Sequence, residues 1–409
     1  MSWVQTELKN ITLKIGSGST PRGGAEAYKE SGISLIRSQN ILDLKFSQDG
    51  LAFIDEKQSD ALKNVSVETN DVLLNITGDS VARCCGAPKN LLPARVNQHV
   101  AILRADKTKL NSDFLKYYLF FSKEQLLVLS EIGGTRNALT KLMLEKFPIN
   151  LPPLREQQAI AGVLSALDDK IDLLQRQNQT LEQMAATLFR QWFIEEARED
   201  WEQVTLADIC IKITDGAHHS PETMESGYAM ASVKDMHNWG INRETCRKIS
   251  ESDYISLVDA DCKAVKGDIL IAKDGSYLKH VFLLETDLDV VLLSSIAMLR
   301  PNGLYHPMLL TIFLKLESTY EEMINIVTGA VIPRIVLKDF RKFPITLPPI
   351  EIQEKAVKII QPIFEKCWNN NNQIQTLQSL RDSLLPKLIS GEVRLKGFAE
   401  KVDGLQDAS

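Results

Sequence analysis

The chain has 409 residues, a formal net charge of −6, and 44% hydrophobic and 24% charged residues. This is the make-up of an ordered protein with room for two or three cores, and it argues against a simple electrostatic nucleic-acid binder. No apolar run approaches the ~20 residues of a membrane helix, and the first residues lack a basic-then-apolar pattern. A cytoplasmic protein without a membrane partner is therefore expected. The six cysteines (Cys84, Cys85, Cys210, Cys246, Cys262, Cys367) have no CxxC or Cys/His spacing, so reduced thiols and no metal site are expected.

Residues 1–150 read as a first α+β module, net +3. Short apolar strand patterns such as Val72-Leu73-Leu74 and Val100-Ala101-Ile102-Leu103-Arg104 alternate with polar turns. Gly16-Ser17-Gly18 lacks the third glycine of a dinucleotide loop, and no Walker-type lysine loop is present. The module ends at Phe147-Pro148-Ile149-Asn150-Leu151-Pro152-Pro153-Leu154, whose paired prolines supply a stiff lead-in and a sharp helix start.

From Arg155 to about Phe193 one amphipathic helix is predicted. Leu164, Leu167, Ile171, Leu174, Asn178, Leu181, Ala185 and Leu188 step by three and four, a heptad seam. Asp168, Asp169, Lys170, Gln175, Arg176, Gln177, Gln179 and Glu182 are expected on its solvated face. At ~1.5 Å per residue such a helix spans about 57 Å.

Residues 201–346, net −5, repeat the first module. Phe343-Pro344-Ile345-Thr346-Leu347-Pro348-Pro349-Ile350 repeats the proline segment, and Gly267-Asp268-Ile269-Leu270-Ile271 repeats Asn70–Leu74. Ile296-Ala297-Met298-Leu299-Arg300 repeats Val100–Arg104, and Thr214-Asp215-Gly216 echoes the region of Gly18. A period near 196 means a duplicated domain rather than a solenoid. The shared positions are apolar strand residues and turn glycines, whereas the polar residues between them differ.

The seam register survives in a second predicted helix, at Ile360, Ile363, Cys367, Asn370, Ile374, Leu377, Arg381 and Leu384. Pro362 should kink or delay this helix and Pro386 should bend or end it, with Gly391 as a stop. Asn178 and Asn370 either sit buried in the seam, fixing register, or face solvent. Packing along the first helix requires the second to run back antiparallel.

With these elements in place, the chain resembles the specificity subunit of type I restriction–modification systems. The resemblance rests on Leu151-Pro152-Pro153-Leu154-Arg155-Glu156-Gln157-Gln158-Ala159-Ile160, on Leu188-Phe189-Arg190-Gln191-Trp192-Phe193 and on Leu384-Leu385-Pro386-Lys387-Leu388-Ile389-Ser390-Gly391-Glu392. The openings at Gly18–Pro21 and Asp215–His218 are also similar. The second motif departs, with Glu351-Ile352-Gln353-Glu354 in place of Arg155-Glu156-Gln157-Gln158. The resemblance implies an α+β, pseudo-two-fold fold with two target recognition domains (1–150 and 201–346). Two long antiparallel spacer helices (in 151–200 and 347–409) would join them as a coiled coil.

It further implies a subunit that reads a bipartite, asymmetric site in double-stranded DNA and catalyses nothing itself. Two adenine methyltransferase subunits, carrying S-adenosylmethionine, would dock on the spacer, and restriction/motor subunits would join them in a bacterial or archaeal cytoplasm. The other reading of the same pattern is an assembly scaffold whose modules bind protein or RNA.

Base reading needs fixed donor and acceptor geometry, Arg or Lys for guanine and Asn or Gln for adenine. Polar clusters that interrupt the strands supply candidates. In the first module these are Thr20, Arg22, Arg37, Gln39, Asn40, Thr77, Arg83, Gln98, Arg136 and Asn137. In the second they are His218, His219, Lys234, His237, Lys273, Tyr277, Lys279 and Arg334. Arg37, Arg83, Arg136, Lys234, Lys273 and Arg334 are the sharper choices, and several should clamp phosphates rather than read bases. Asp215, before Gly216, is read as a turn residue.

Overall fold

The structure, a computed structural model, describes residues 3–132, 137–273, 280–325, 327–328 and 334–395. It divides into two compact units, residues 1–171 with 376–409 and residues 172–375. Candidates Arg136, Tyr277 and Lys279 lie outside the described residues, as does the side chain of Arg334.

In the first unit, strands Thr12–Ser17, Val100–Ala105, Val72–Asn75 and Cys84–Gly86 form an antiparallel sheet in that order. Val72, Leu74, Ala101 and Leu103 face one core with Phe114 and Leu115 of helix Ser112–Phe121. Leu73, Cys85, Val100 and Ile102 face a second core with Leu35, Ile36 and Val96. Those last residues belong to a second sheet, Ala52–Ile54, Ile33–Ile36, Ala94–Val96 and Ser66–Val67, whose two middle strands are parallel. Burial on both faces explains why the central strands read as continuous apolar runs without alternation. Val4–Glu7 pairs with Pro148–Leu151, bringing the start of the module to the start of the helix.

The second unit repeats this plan. Cys210–Asp215, Ile296–Pro301, Ile269–Ala272 and Val281–Leu283 form the central sheet. Arg247–Ile249, Tyr228–Ala231 and Val290–Leu292 form the covering sheet, again with a parallel pair. Glu202–Thr205 pairs with Pro344–Leu347.

Two long helices, Leu154–Arg190 and Ile350–Ser390, each contribute to both units. The first continues through a π-helical turn, Gln191–Glu195. Within residues 172–375, Ala185, Phe189 and Phe193 share a core with Ala356, Ile360 and Phe364. There Asn370 Nδ2 donates to Asn178 Oδ1 (2.8 Å) and Gln177 Oε1 (2.9 Å), and Asn178 Nδ2 donates to the Cys367 carbonyl (3.2 Å). Asn178 and Asn370 are therefore seam residues, 5% and 0% exposed. Within the other unit, Ile160, Ala161 and Leu164 share a core with Leu385, Leu388 and Ile389, and Arg381 donates to Asp168 at 2.8 Å. In each unit later residues of one helix meet earlier residues of the other, so the packed stretches run antiparallel.

Pro362 does not delay the second helix, Pro386 does not end it, and two residues assigned to the solvated face are paired. The second helix starts at Ile350 and runs through both Pro362 and Pro386 before stopping at Gly391, whose φ is +79°. Both prolines are exposed, and buried Ile360 and Phe364, and Leu385 and Leu388, hold the turns on either side. One missing N–H is then tolerated where tertiary packing fixes the helix. Asp168 and Glu182 are half-buried and paired rather than freely solvated. Asp168 accepts from Tyr117 Oη (2.6 Å) as well as from Arg381, and Glu182 accepts from Lys315 (2.9 Å) and the Trp239 indole.

Candidate nucleic-acid interface

Strand direction places most of the first module's candidates together. Thr12–Ser17, Ile33–Ile36, Val72–Asn75 and Ala94–Val96 all finish at the end of the module where Val100–Ala105 begins. The loops beyond them are tied to one another. Gly18 N donates to Val100 O (2.8 Å), Ser19 N to Val96 O (3.0 Å), Asn97 N to Ile36 O (3.0 Å), Ile76 N to His99 O (3.0 Å) and Leu139 N to Ile76 O (2.9 Å). Gly18 is required by this crossing, since a Cβ there would sit 2.1 Å from the Val96 carbonyl oxygen. The result is one polar rim built from residues 18–22, 37–40, 76–83, 97–99 and 137–138.

On that rim, Arg22, Gln39, Gln98 and Asn137 are exposed, and Thr20, Arg37, Thr77 and Arg83 are half-buried. Arg37 donates to the Gly50 carbonyl and lies 5.3 Å over the Tyr28 ring. Thr77 Oγ1 and His99 Nδ1 are 2.6 Å apart, and Gln98 Nε2 is 3.1 Å from His99 Nε2. Asn40 must be removed from the set of base readers. It is 0% exposed, accepts from Arg37 N (3.0 Å) and donates to Ser47 O and Asp49 O. Its carboxamide builds the turn that carries Arg37 and Gln39.

The second module repeats the rim. Gly216 N donates to Ile296 O (3.2 Å), Ala217 N to Leu292 O (2.8 Å), Leu293 N to Ala231 O (2.8 Å) and Ile335 N to Lys273 O (3.1 Å). A Cβ on Gly216 would meet Leu292 O at 2.1 Å. His218, His219 and Lys234 are exposed here. His237 is half-buried and accepts from Trp239 N at Nδ1 (3.3 Å). Burial first, and nearby His280 second, push its pKa down to about 4, so it is a neutral hydrogen-bonding group rather than a phosphate counter-charge. Lys273 also needs correction. It is 4% exposed and ion-paired with Asp215, whose other oxygen lies 3.1 Å from His218 Nε2. A lysine stem on a strand end points inward here because Asp215, the last residue of its strand, offers a partner that offsets the cost of burial. The turn reading of Asp215 missed that role.

What the two modules share is framework. Asp71 and Asp268, both buried, take fork-like pairs from Arg104 and Arg300 (2.8 Å each at Nε). Gln157 Oε1 accepts from Asn111 N and Gln353 Oε1 from His306 N, both at 2.8 Å. Each glutamine also donates to two carbonyls, Lys109 and Pro152 in one case, Leu304 and Pro348 in the other. What the modules do not share is the side chains at the rim: Arg37 stands where Ser232 does, and Ile76 where Lys273 does.

Comparison with known proteins agrees with this duplicated plan. The model of the type I restriction modification DNA specificity domain matches residues 2–183 and again residues 198–379. The chain is 28% identical to the type I restriction enzyme MjaIX specificity subunit of Methanocaldococcus jannaschii over 96% of this chain and 94% of the relative. It is 23% identical to the EcoBI specificity subunit of Escherichia coli over 98% and 88%. In fold it is similar to a crystal structure of a type I restriction–modification S subunit from M. genitalium, with a TM-score of 0.56 at 19% identity, covering 94% of this chain and 96% of the other. Two domain matches covering most of the chain, on two copies of one fold, show that the chain belongs to the type I restriction–modification DNA specificity family, as a specificity subunit carrying that domain twice.

Proposed function

We propose that each module reads one half of a bipartite, asymmetric site in double-stranded DNA, and that the chain directs adenine methylation and restriction by partner subunits. Two methyltransferase subunits carry the methyl donor S-adenosylmethionine, restriction/motor subunits join them, and this chain is non-catalytic, acting in a bacterial or archaeal cytoplasm. The observation that carries the reading is the pairing of a retained framework with unlike rims. Loops at equivalent strand ends present Arg22, Arg37, Gln39, Arg83 and Gln98 in one module and His218, His219, Lys234 and His237 in the other. Equal placement with unequal donors and acceptors suits two different half-sites. The DNA specificity family match counts against the scaffold reading in which the modules bind protein or RNA.

The test is reconstitution. The purified chain with methyl donor alone should methylate nothing. Adding the cognate methyltransferase subunit should produce adenine methylation at a split site. Methylation by the chain alone would contradict the assignment of catalysis to the partner.

A further inference from the structure

Among the described residues of the first unit, three buried side-chain polar atoms lack a hydrogen-bond partner: Thr20 Oγ1, Arg37 Nε and Asn75 Oδ1. Thr20 and Arg37 belong to the rim, and Asn75 is the last residue of the strand that leads into the rim's 76–83 loop. Asn75 was not among the sequence candidates, because it reads as the end of an apolar strand. It is 0% exposed, and its amide nitrogen donates to Ser38 O (2.9 Å) and Ser80 Oγ (3.0 Å). One carboxamide therefore ties the turn carrying Arg37 and Gln39 to the loop carrying Thr77 and Arg83. The framework does not need this residue. At the equivalent strand position of the second module, paired with Ile296 as Asn75 is with Val100, stands Ala272. A buried polar group absent from the sister module, with its acceptor oxygen left open, belongs to what distinguishes the modules.

Resting on the DNA-reading function proposed above, we infer that Asn75 is a positioning residue for recognition of the first half-site: it locks loops 37–40 and 76–83 at the separation at which Arg37 and its neighbours meet the bases. Asn75 touches no base itself. Its two donated bonds set the distance between the loops that do. A good base contact discriminates only while its geometry is held, so loosening the lock widens the set of accepted sequences rather than simply weakening binding.

The test uses the full chain in cells with its methyltransferase partner, with methylated adenines mapped genome-wide and chain abundance measured alongside. Asn75→Ala copies the second module's residue. Ser80→Ala removes one of the two bonds at a half-buried site and serves if Asn75→Ala folds poorly. The expected result for either variant is about a tenfold or greater rise in methylation at sites altered in one half only. The other half and the gap should stay unchanged, with the effect smaller for Ser80→Ala. A fall in methylation at cognate sites in proportion to abundance, with the recognised sequence unchanged, means a merely structural asparagine and overturns the proposal. So does a change in both halves. A wild-type chain that yields no split-site methylation overturns the DNA-reading function itself, an outcome separate from either of these.

Discussion

Single residues divide into those that hold the framework and those that vary upon it. Gln157 and Gln353 are the clearest of the first kind, each 0–1% exposed and each closing three hydrogen bonds at the start of a long helix. Replacing either by Ala leaves buried backbone groups unpaired and should cost roughly 2–4 kcal/mol, read as a lower denaturation midpoint at unchanged slope. Alanine at the neighbouring exposed Gln158 should do almost nothing. The departure of the second proline motif from the first thus spares the one glutamine that matters structurally. His237 supplies a pH dependence. Its folded pKa is depressed to about 4 by burial, against about 6.5 in the unfolded chain. Between those values the unfolded state binds the proton and the folded state does not, so stability is full above about pH 6.5 and falls as pH drops toward 4. Burial of His306 acts in the same direction. Melting curves of wild type and His237→Gln should converge as pH is lowered through that window.

At the scale of elements, the helices were legible because a three–four spacing repeated over about seven turns can only be one stripe. The same spacing put Asn178 and Asn370 in register without saying whether they were buried. Burial came from what packs around them, including the Cys367 carbonyl that Asn178 reaches. Asn178→Ala should destabilise by about 1–3 kcal/mol because it leaves the Asn370 amide short of a partner. Asn178→Leu with Asn370→Leu should recover most of that loss, and a double-mutant cycle in chemical unfolding measures the coupling. Pro362 and Pro386 neither delay nor end the helix, because propensity carries no information about the flanking core residues. Asn40 and Lys273 misled for a related reason: a polar residue in a loop pattern can point outward or can build the turn, and only the location of Ser47 and Asp49, or of Asp215, decides which. The strand ends that gather the rim were readable as turns, but their convergence depends on the parallel pairing of Ile33–Ile36 with Ala94–Val96, a long-range choice absent from local pattern.

For the whole molecule, duplication is the organising fact. Two copies of one fold keep Gly18 and Gly216, Asp71 and Asp268, Arg104 and Arg300, Gln157 and Gln353, while the polar content of the two rims has diverged. If recognition resides in the rims, the modules are separable readers and each half-site should follow its own module. The most direct measurement replaces residues 1–150 with the first module of another family member and maps methylated adenines in cells that supply the methyltransferase partner. The account predicts a site in which one half is new and the other half is that of the parent chain. A change in both halves, or in neither, would contradict it.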